Sequence, residues 1–389
     1  MFMEKTALID RQQPPALNGN TDTNLPPGTG MEKCALEKHA VLAPVAFCAP
    51  RSLAANAICP RGKCAVPRPY LRLARALALL MALLLFVLPA LAEPLPFTAP
   101  PPFEMWPART PEGFLQADDF SPVKEYVFAD DALGRWIYLS RDLQISIERR
   151  SGRYEKRDVV WYMADIRFTD GQAFRAFSAD PARPSRAQDR PENIANNNRV
   201  VYAQNGDLFS ARVYNKERVG LIIRDGKVLY ENTYTHPVAK IPPLDELALF
   251  PDGKMEMRTP GEYSAQDYLF AGALDVMAFG PILFRDRVKD DRLEKSFTHR
   301  EPRSAIGIIA PKHFLGIMVE GRNKRSAGAP LRFVADRLLE AGCYEAFTLD
   351  GGQTAAMLFM GKNVTSPGIY SGYQKARKQQ DILGIGRWE

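Results

Sequence analysis

The sequence predicts an α+β fold: a single strand-rich domain with a mixed or antiparallel sheet flanked by a few helices, after an N-terminal signal or anchor segment. Three observations carry this. Short alternating apolar segments succeed one another from about Val123 onward, turn residues punctuate them at hairpin spacing, and a helical period is sustained in one place only. With 46% apolar and 25% charged residues among 389, the composition is that of an ordinary globular protein and excludes wholesale disorder or a collagen-like repeat.

Taken in order, Glu125–Phe128, Arg135–Leu139, Leu143–Glu148 and Val159–Phe168 alternate as strands do. Leu221–Arg224 and Lys227–Tyr230 flank Asp225-Gly226, a pair suited to the positive φ of a two-residue hairpin turn. Leu247–Phe250 and Met255–Arg258 repeat the device around Pro251-Asp252-Gly253-Lys254. Ser264, with Asp267 three positions on, caps a short helix to about Ala271. Ala305–Ile309 and Phe314–Val319 form a strand pair. Then Leu331, Val334, Ala335 and Leu338 fall on one helical face, with Pro330 at the first turn and Gly342 past the end. Tyr344–Leu349, Ala356–Met360 and Asp381–Ile385 complete the strands.

Ahead of this domain the chain has a different character. Residues 76–92 (ALALLMALLLFVLPALA) are apolar, come after Arg68, Arg72 and Arg75, and end in Ala90-Leu91-Ala92, the plan of a secretory signal h-region or of a signal-anchor helix. Either form exports the chain beyond residue 92, because the basic flank stays in the cytoplasm. Residues 1–75 show no hydrophobic period and read as a disordered extension, or as sequence upstream of a later start such as Met31. Residues 93–112 are a Pro-rich linker, leaving 113–389 as the folded domain.

Charge and cysteine obey the same division. The net charge of +6 comes from 51 basic and 45 acidic residues, of which 10 and 5 lie in residues 1–92, so the remainder carries 41 against 40. A nearly neutral domain has no net attraction for a phosphate backbone, which excludes nucleic acid as the expected partner. Cys343 alone lies beyond residue 92, so no disulfide framework holds the domain, and it reads as buried packing. Cys59 and Cys64 lack a second ligand pair; no metal and no cofactor is expected. His236, His299 and His313 lack the Ser or Asp motif of a triad, although His299 and His313 flank the Arg303 strand. Asn363-Val364-Thr365 fits a glycosylation acceptor in a eukaryotic setting.

Four polar places sit at the ends of buried strands, where a rigid element aims a side chain at a cleft. They are Asn205-Gly206-Asp207, Arg303, Glu320-Gly321-Arg322 and Asp350-Gly351-Gly352-Gln353-Thr354. The competing reading is a plain turn for the first and third, and a solvated side chain for Arg303. Two glycines after an aspartate exceed what a hairpin needs and suit close approach of a ligand to the backbone.

In that order the segments resemble the phosphodiester glycosidase domain family over about Val200–Ile385. The motifs are Asn205-Gly206-Asp207-Leu208-Phe209, Phe279-Gly280-Pro281-Ile282-Leu283, Pro302-Arg303-Ser304-Ala305-Ile306-Gly307, Glu320-Gly321-Arg322 with Ser326, Gly328 and Leu331, and Leu349-Asp350-Gly351-Gly352. The family's vertebrate member removes N-acetylglucosamine from phosphodiester-capped mannose, and bacterial relatives are linked to exopolysaccharide. The resemblance therefore implies an exported hydrolase of a sugar-1-phosphodiester bond in envelope or extracellular glycans. The alternative is a catalytically silent glycan-binding or polysaccharide-assembly protein on the same fold. The sequence departs from the family pattern in two places: Gln353-Thr354-Ala355-Ala356 stands where the family has Gly-Ser-Ser-Thr, which favours the alternative, and Arg285-Asp286-Arg287 replaces an Asp-Gly turn; retention of Asp207, Arg303 and Asp350 favours the enzyme.

Such a reaction passes through an oxocarbenium-like state with a weakly basic leaving group, so the site needs charge control more than a strong acid. Arg303 is expected to neutralise the departing phosphate. A carboxylate, Asp350 first and Asp207 second, activates water or attacks the anomeric carbon. Asn205 and the Gly351 and Gly352 amides position substrate, Glu320 is a spare acid, and Gly206, Arg322, Gln353 and Thr354 complete the expected binding surface. The partners are a glycan or sugar phosphodiester, and a membrane if the N-terminal segment is uncleaved.

Overall fold

A computed structural model describes residues 107–184, 186–208, 212, 218–233, 243–370, 373–374 and 376–388. The extension 1–75, the apolar run 76–92, linker residues 93–106 and His236 lie outside the described residues. Among those described, no helix is long and apolar enough to cross a membrane.

Strands β1 (Tyr126–Asp130) and β2 (Arg135–Leu139) lead into a long hairpin of β3 (Leu143–Tyr154) and β4 (Arg157–Phe168). Its turn, Glu155-Lys156, takes φ of 46° and 65°, the geometry that matches strand twist, without a glycine. The sequence pattern ends β3 at Glu148 because the hairpin tip beyond it is mostly exposed and no core enforces alternation there. Next come β5 (Arg175–Ser178), α1 (Pro191–Asn197), β6 (Val200–Asn205) and the hairpin β7 (Gly220–Arg224) and β8 (Lys227–Asn232). After these the chain forms β9 (Asp245–Leu249), β10 (Met255–Arg258), α2 (Ala265–Phe270), β11 (Asp275–Phe279), β12 (Ile282–Arg285), β13 (Val288–Lys289) and α3 (Arg292–Lys295).

The expected cap of α2 is present in full: Ser264 and Asp267 exchange side-chain and backbone hydrogen bonds. Arg285-Asp286-Arg287 still turns tightly between β12 and β13, with Asp286 and Arg287 at φ 48° and 65°. The chain closes with β14 (Arg303–Ala310), β15 (His313–Val319), α4 (Leu331–Glu340), β16 (Glu345–Leu349), β17 (Met357–Phe359), β18 (Lys362–Asn363), β19 (Ile369–Tyr370), β20 (Tyr373–Gln374) and β21 (Asp381–Arg387).

Among the described residues three large sheets and the two-stranded ribbon β19-β20 result, antiparallel throughout. The first has nine strands in the order β1-β2-β3-β4-β15-β14-β16-β12-β13; the second runs β10-β9-β11-β7-β8 and the third β18-β17-β6-β21-β5. One face of the nine-stranded sheet packs on both smaller sheets, joining Ile147, Ile306 and Phe347 to Tyr202, Met277 and Leu383 in one core. Its other face takes α4, with Ala305, Ile317 and Ala346 against Leu331, Val334 and Leu338. Strands β14 to β16 are thus buried on both sides, and read as continuous apolar runs for that reason. Helix α2 covers the second sheet and α1 the third. Gln204, at no exposure, fastens β6 to the nine-stranded sheet: its amide nitrogen donates to Ser304 Oγ at 3.0 Å and to the Ala305 and Ile317 carbonyls at 3.1 Å.

Candidate active site

Antiparallel register sets the site. Ser304 pairs with Leu349 and Arg303 with Val319, so Arg303, Asp350 and Glu320 emerge at one end of three neighbouring strands. The end of β6 meets them from the third sheet: the Asp350 amide donates to the Gly206 carbonyl at 3.3 Å, and Asn205 Nδ2 donates to the Asp350 carbonyl at 2.8 Å across 145 positions of sequence. The Gly352 amide donates to the Pro302 carbonyl at 2.9 Å. All four segments singled out in the sequence therefore converge in space.

The glycines are where backbones must touch. A Cβ on Gly206 would lie 1.8 Å from Asp381 Oδ1, and one on Gly351 would lie 2.9 Å from the Pro302 carbonyl oxygen. Gly352, at φ +62°, would bring a Cβ within 3.3 Å of Arg322 Nη2. The Gly351-Gly352 pair thus runs between two guanidinium groups, those of Arg303 and Arg322.

Arg303 is half-buried and spends two nitrogens on carbonyls: Nε on Ala329 at 3.1 Å and Nη2 on His299 at 2.8 Å. No carboxylate among the described residues pairs with it. Burial lowers its pKa to about 10, opposed by Glu301 and helped by the charge of Arg322, so it remains a cation at neutral pH. Arg322, held in the left-handed region at φ 56°, bonds Glu301 Oε2 through Nε at 2.5 Å. A cation without a carboxylate, beside a second cation that has one, is a place for an incoming anion.

The three acids differ sharply in surroundings. Asp350 is half-buried at the loop between the two arginines. Asp207 is turned away from that loop into a buried cluster, ion-paired to Arg212 and, at 3.2 Å, to Arg224, and accepting the Ala278 amide at 3.2 Å. Glu320, at no exposure, accepts Tyr162 Oη at 3.0 Å, the Ser366 amide at 2.8 Å, Asn323 Nδ2 at 3.3 Å and the guanidinium of Arg325. Its carboxylate raises the pKa of Arg325 through their hydrogen bond, and burial together with the same carboxylate raises that of Tyr162. Glu320 is thus committed to fixing the turn that aims Arg322. Asn205 is committed too: Nδ2 serves the Gly206 and Asp350 carbonyls while Oδ1 accepts the Ala356 amide at 3.1 Å. Both residues spend their polar atoms on the backbone and side chains that hold the site's loops together.

Gln353 and Thr354 lie in a 3-10 turn, Gly352–Thr354, after the two glycines, and Arg377 reaches both at 3.4 Å. Nothing in the sequence pattern marks Arg377, Arg212, Arg224 or Asp381, because each gains meaning only from a partner far along the chain. His313 stands at the far end of β15, paired with Asp165 at 3.0 Å, and does not line the site; His299 is exposed and lends it only a carbonyl. Cys343 is buried as expected, its thiol pushed up to about 12 by burial. Among the described residues no three His, Cys, Asp or Glu side chains gather as metal ligands would.

Residues 198–386 match the family model described as phosphodiester glycosidase, the family that the five motifs resemble. The SPbeta prophage-derived uncharacterized protein YomE of Bacillus subtilis (strain 168) is 30% identical over 187 residues, which make up 47% of this chain and 28% of that protein. The chain thus spans under a third of that relative's length. The catalytic domain of zebrafish N-acetylglucosamine-1-phosphodiester alpha-N-acetylglucosaminidase, auto-inhibited by its pro-peptide, aligns at a TM-score of 0.51 with 17% identity, covering 68% of this chain and 89% of that one. That likeness is one of fold.

Proposed function

We propose that this chain, which matches the phosphodiester glycosidase family over residues 198–386, hydrolyses a sugar-1-phosphodiester bond in an envelope or extracellular glycan. The observation that carries the reading is the unneutralised Arg303 guanidinium beside the Asp350-Gly351-Gly352 loop, with Arg322 on the loop's other side. In the reaction the bond between the anomeric carbon and its phosphate oxygen breaks. The phosphate departs as a monoester with its charge met by Arg303 and Arg322, and water supplies the new anomeric hydroxyl. Asp350 is the carboxylate assigned to the anomeric carbon, either activating that water or attacking first. Asp207, held in its ion pairs, is assigned a structural part. The proposed domain is 113–389, exported by the apolar segment 76–92 and either secreted or held at the outer face of the membrane.

The replacement of Gly-Ser-Ser-Thr by Gln353-Thr354-Ala355-Ala356 favours a second reading, a glycan-binding protein without turnover. One experiment separates the two. The full chain is assayed on chromogenic and nucleotide-linked N-acetylglucosamine phosphodiesters beside Asp350→Ala and Arg303→Ala. Each variant is expected to lose about 100-fold or more in kcat. Equal background turnover by all three proteins, with glycan still bound, would establish the second reading instead.

A further inference from the structure

A cleft of about 620 Å³ opens away from the Asp350 loop, between β5 on one side and the turn from β7 to β8 on the other. That is the size of a small-ligand pocket. Its floor includes Arg224, whose guanidinium also holds Asp207, the residue after Gly206; the cleft and the candidate active site thus lie on either side of one buried ion cluster.

The acids in and behind the cleft are already matched. Arg175 bridges Asp275 at 2.7 Å and Asp225 at 3.0 Å, while Arg224 takes Asp207 at 3.2 Å and Asp381 at 2.6 Å. Two further cations line the same cleft from different sheets: Lys227 at the start of β8 and Arg387 at the end of β21. Both are exposed, and neither pairs with a carboxylate among the described residues. The rest of the lining is mixed: Phe177, Leu229 and Pro251 offer hydrocarbon surface of the kind on which the C–H faces of a sugar ring pack, and Gln172, Ser178 and Asn198 offer hydrogen-bonding groups for its hydroxyls. A cavity whose anions are internally satisfied, and whose remaining cations come from two different sheets, attracts an anionic ligand that offers a negative group to each.

We infer that this cleft is a second carbohydrate site that holds an acidic saccharide of a few rings, with Lys227 and Arg387 meeting its carboxylate or phosphate groups. The saccharide part rests on the glycan reading proposed above, whereas the anionic part stands on the cleft itself. Such a site would keep a charged polymer on the enzyme while a distant linkage enters the Asp350 loop.

The test is binding to the full chain by calorimetry, with trigalacturonate as the probe, neutral maltotriose as its uncharged match and inorganic phosphate as the anion without a sugar. Trigalacturonate is expected to bind, more weakly at higher salt, and the Lys227→Ala/Arg387→Ala double variant is expected to bind it about tenfold more weakly or worse. A sugar phosphate in a further arm separates recognition of carboxylate from that of phosphate. Lysine acetylation read by mass spectrometry tests the wild type directly: trigalacturonate should slow modification of Lys227 and leave exposed Lys295 unchanged. No binding, equal binding of maltotriose or of phosphate, undiminished binding by the double variant, or no protection of Lys227 overturns the inference. Since the readouts are binding and protection, a chain that binds the acidic trimer without turning over a phosphodiester counts against the proposed function alone. An active chain that ignores the trimer counts against the cleft alone.

Discussion

Glu246 lies on β9 at no exposure, accepting a 2.7 Å hydrogen bond from Tyr268 Oη. Burial, with the neighbouring charge of Asp245 adding to it, pushes its pKa up to about 7 from 4.5, while the Tyr268 hydrogen bond opposes the rise. Because the folded state holds the proton more tightly than the unfolded chain, the contribution of Glu246 to stability is complete below pH 4.5 and is lost as pH climbs through about 7. The whole effect is at most about 3 kcal/mol. Denaturant titrations between about pH 5 and pH 8 should show stability falling with pH in the wild type and a flatter profile in Glu246→Gln, which stays neutral throughout. Parallel profiles in the two proteins would mean that Glu246 titrates as an ordinary surface acid. Arg303 presents the opposite case, a group whose pKa is lowered and which nevertheless keeps its charge at neutral pH. Glu246 changes its charge within the physiological range, whereas Arg303 does not.

At the scale of elements, the site depends on two loops that must meet from different sheets. The Asn205 amide at the end of β6 makes that join, with bonds to the Asp350 and Ala356 backbone. Asn205→Ala should therefore lower kcat more than it raises KM, since the substrate contacts remain while the Asp350 loop loses its anchor. The accompanying stability loss should be about 1–3 kcal/mol from the carbonyl and amide left unpaired. A variant with unchanged kcat would show that the loop is fixed by its other contacts. The strand ends that supply the site are legible in the sequence because β14, β15 and β16 are apolar on both faces, β14 opening at Arg303 and β15 and β16 closing just before Glu320 and Asp350. The helices were legible where caps were written out, at Ser264 and at Pro330. By contrast β5, α1 and β11 escaped notice. Their short segments, such as Arg175–Ser178, carry polar residues in pairs with other sheets, and alternation cannot register a partner 100 positions away, as Arg175 has in Asp275. The same limit hides the hydrogen-bond partners of Asn205 and Glu320, which lie in other elements and show only in the folded chain.

Across the whole molecule, the two five-stranded sheets are joined beneath the site by a buried ion cluster. Asp207 leaves β6, Asp381 begins β21, Arg224 ends β7, and Arg212 links to the Val219 and Ala278 carbonyls at 3.0 and 3.1 Å. Burial raises the pKa of Asp381, while Arg224, although burial opposes it, is raised by Asp381 and Asp207 together. Neither the charges nor their geometry favours stability outright, because desolvating four ions offsets most of their attraction. Removing one member is a different matter. Asp207→Ala leaves Arg212 and Arg224 buried with half their countercharge gone, and the expected loss is about 3–5 kcal/mol, large against the stability of a single domain. Asp119→Ala supplies the contrast, since its ion pair with Arg141 is exposed at 82% and 68% of the two side chains and should contribute at most about 1 kcal/mol. Chemical denaturation of the two variants checks both values. If Asp207→Ala proves as mild as Asp119→Ala, the cluster does not join the sheets, and the carboxylate of Asp207 would be released from its structural part and available for chemistry. If instead it unfolds the protein, loss of turnover at that position reports on the scaffold, and only Asp350 among the strand-end acids can be tested by activity.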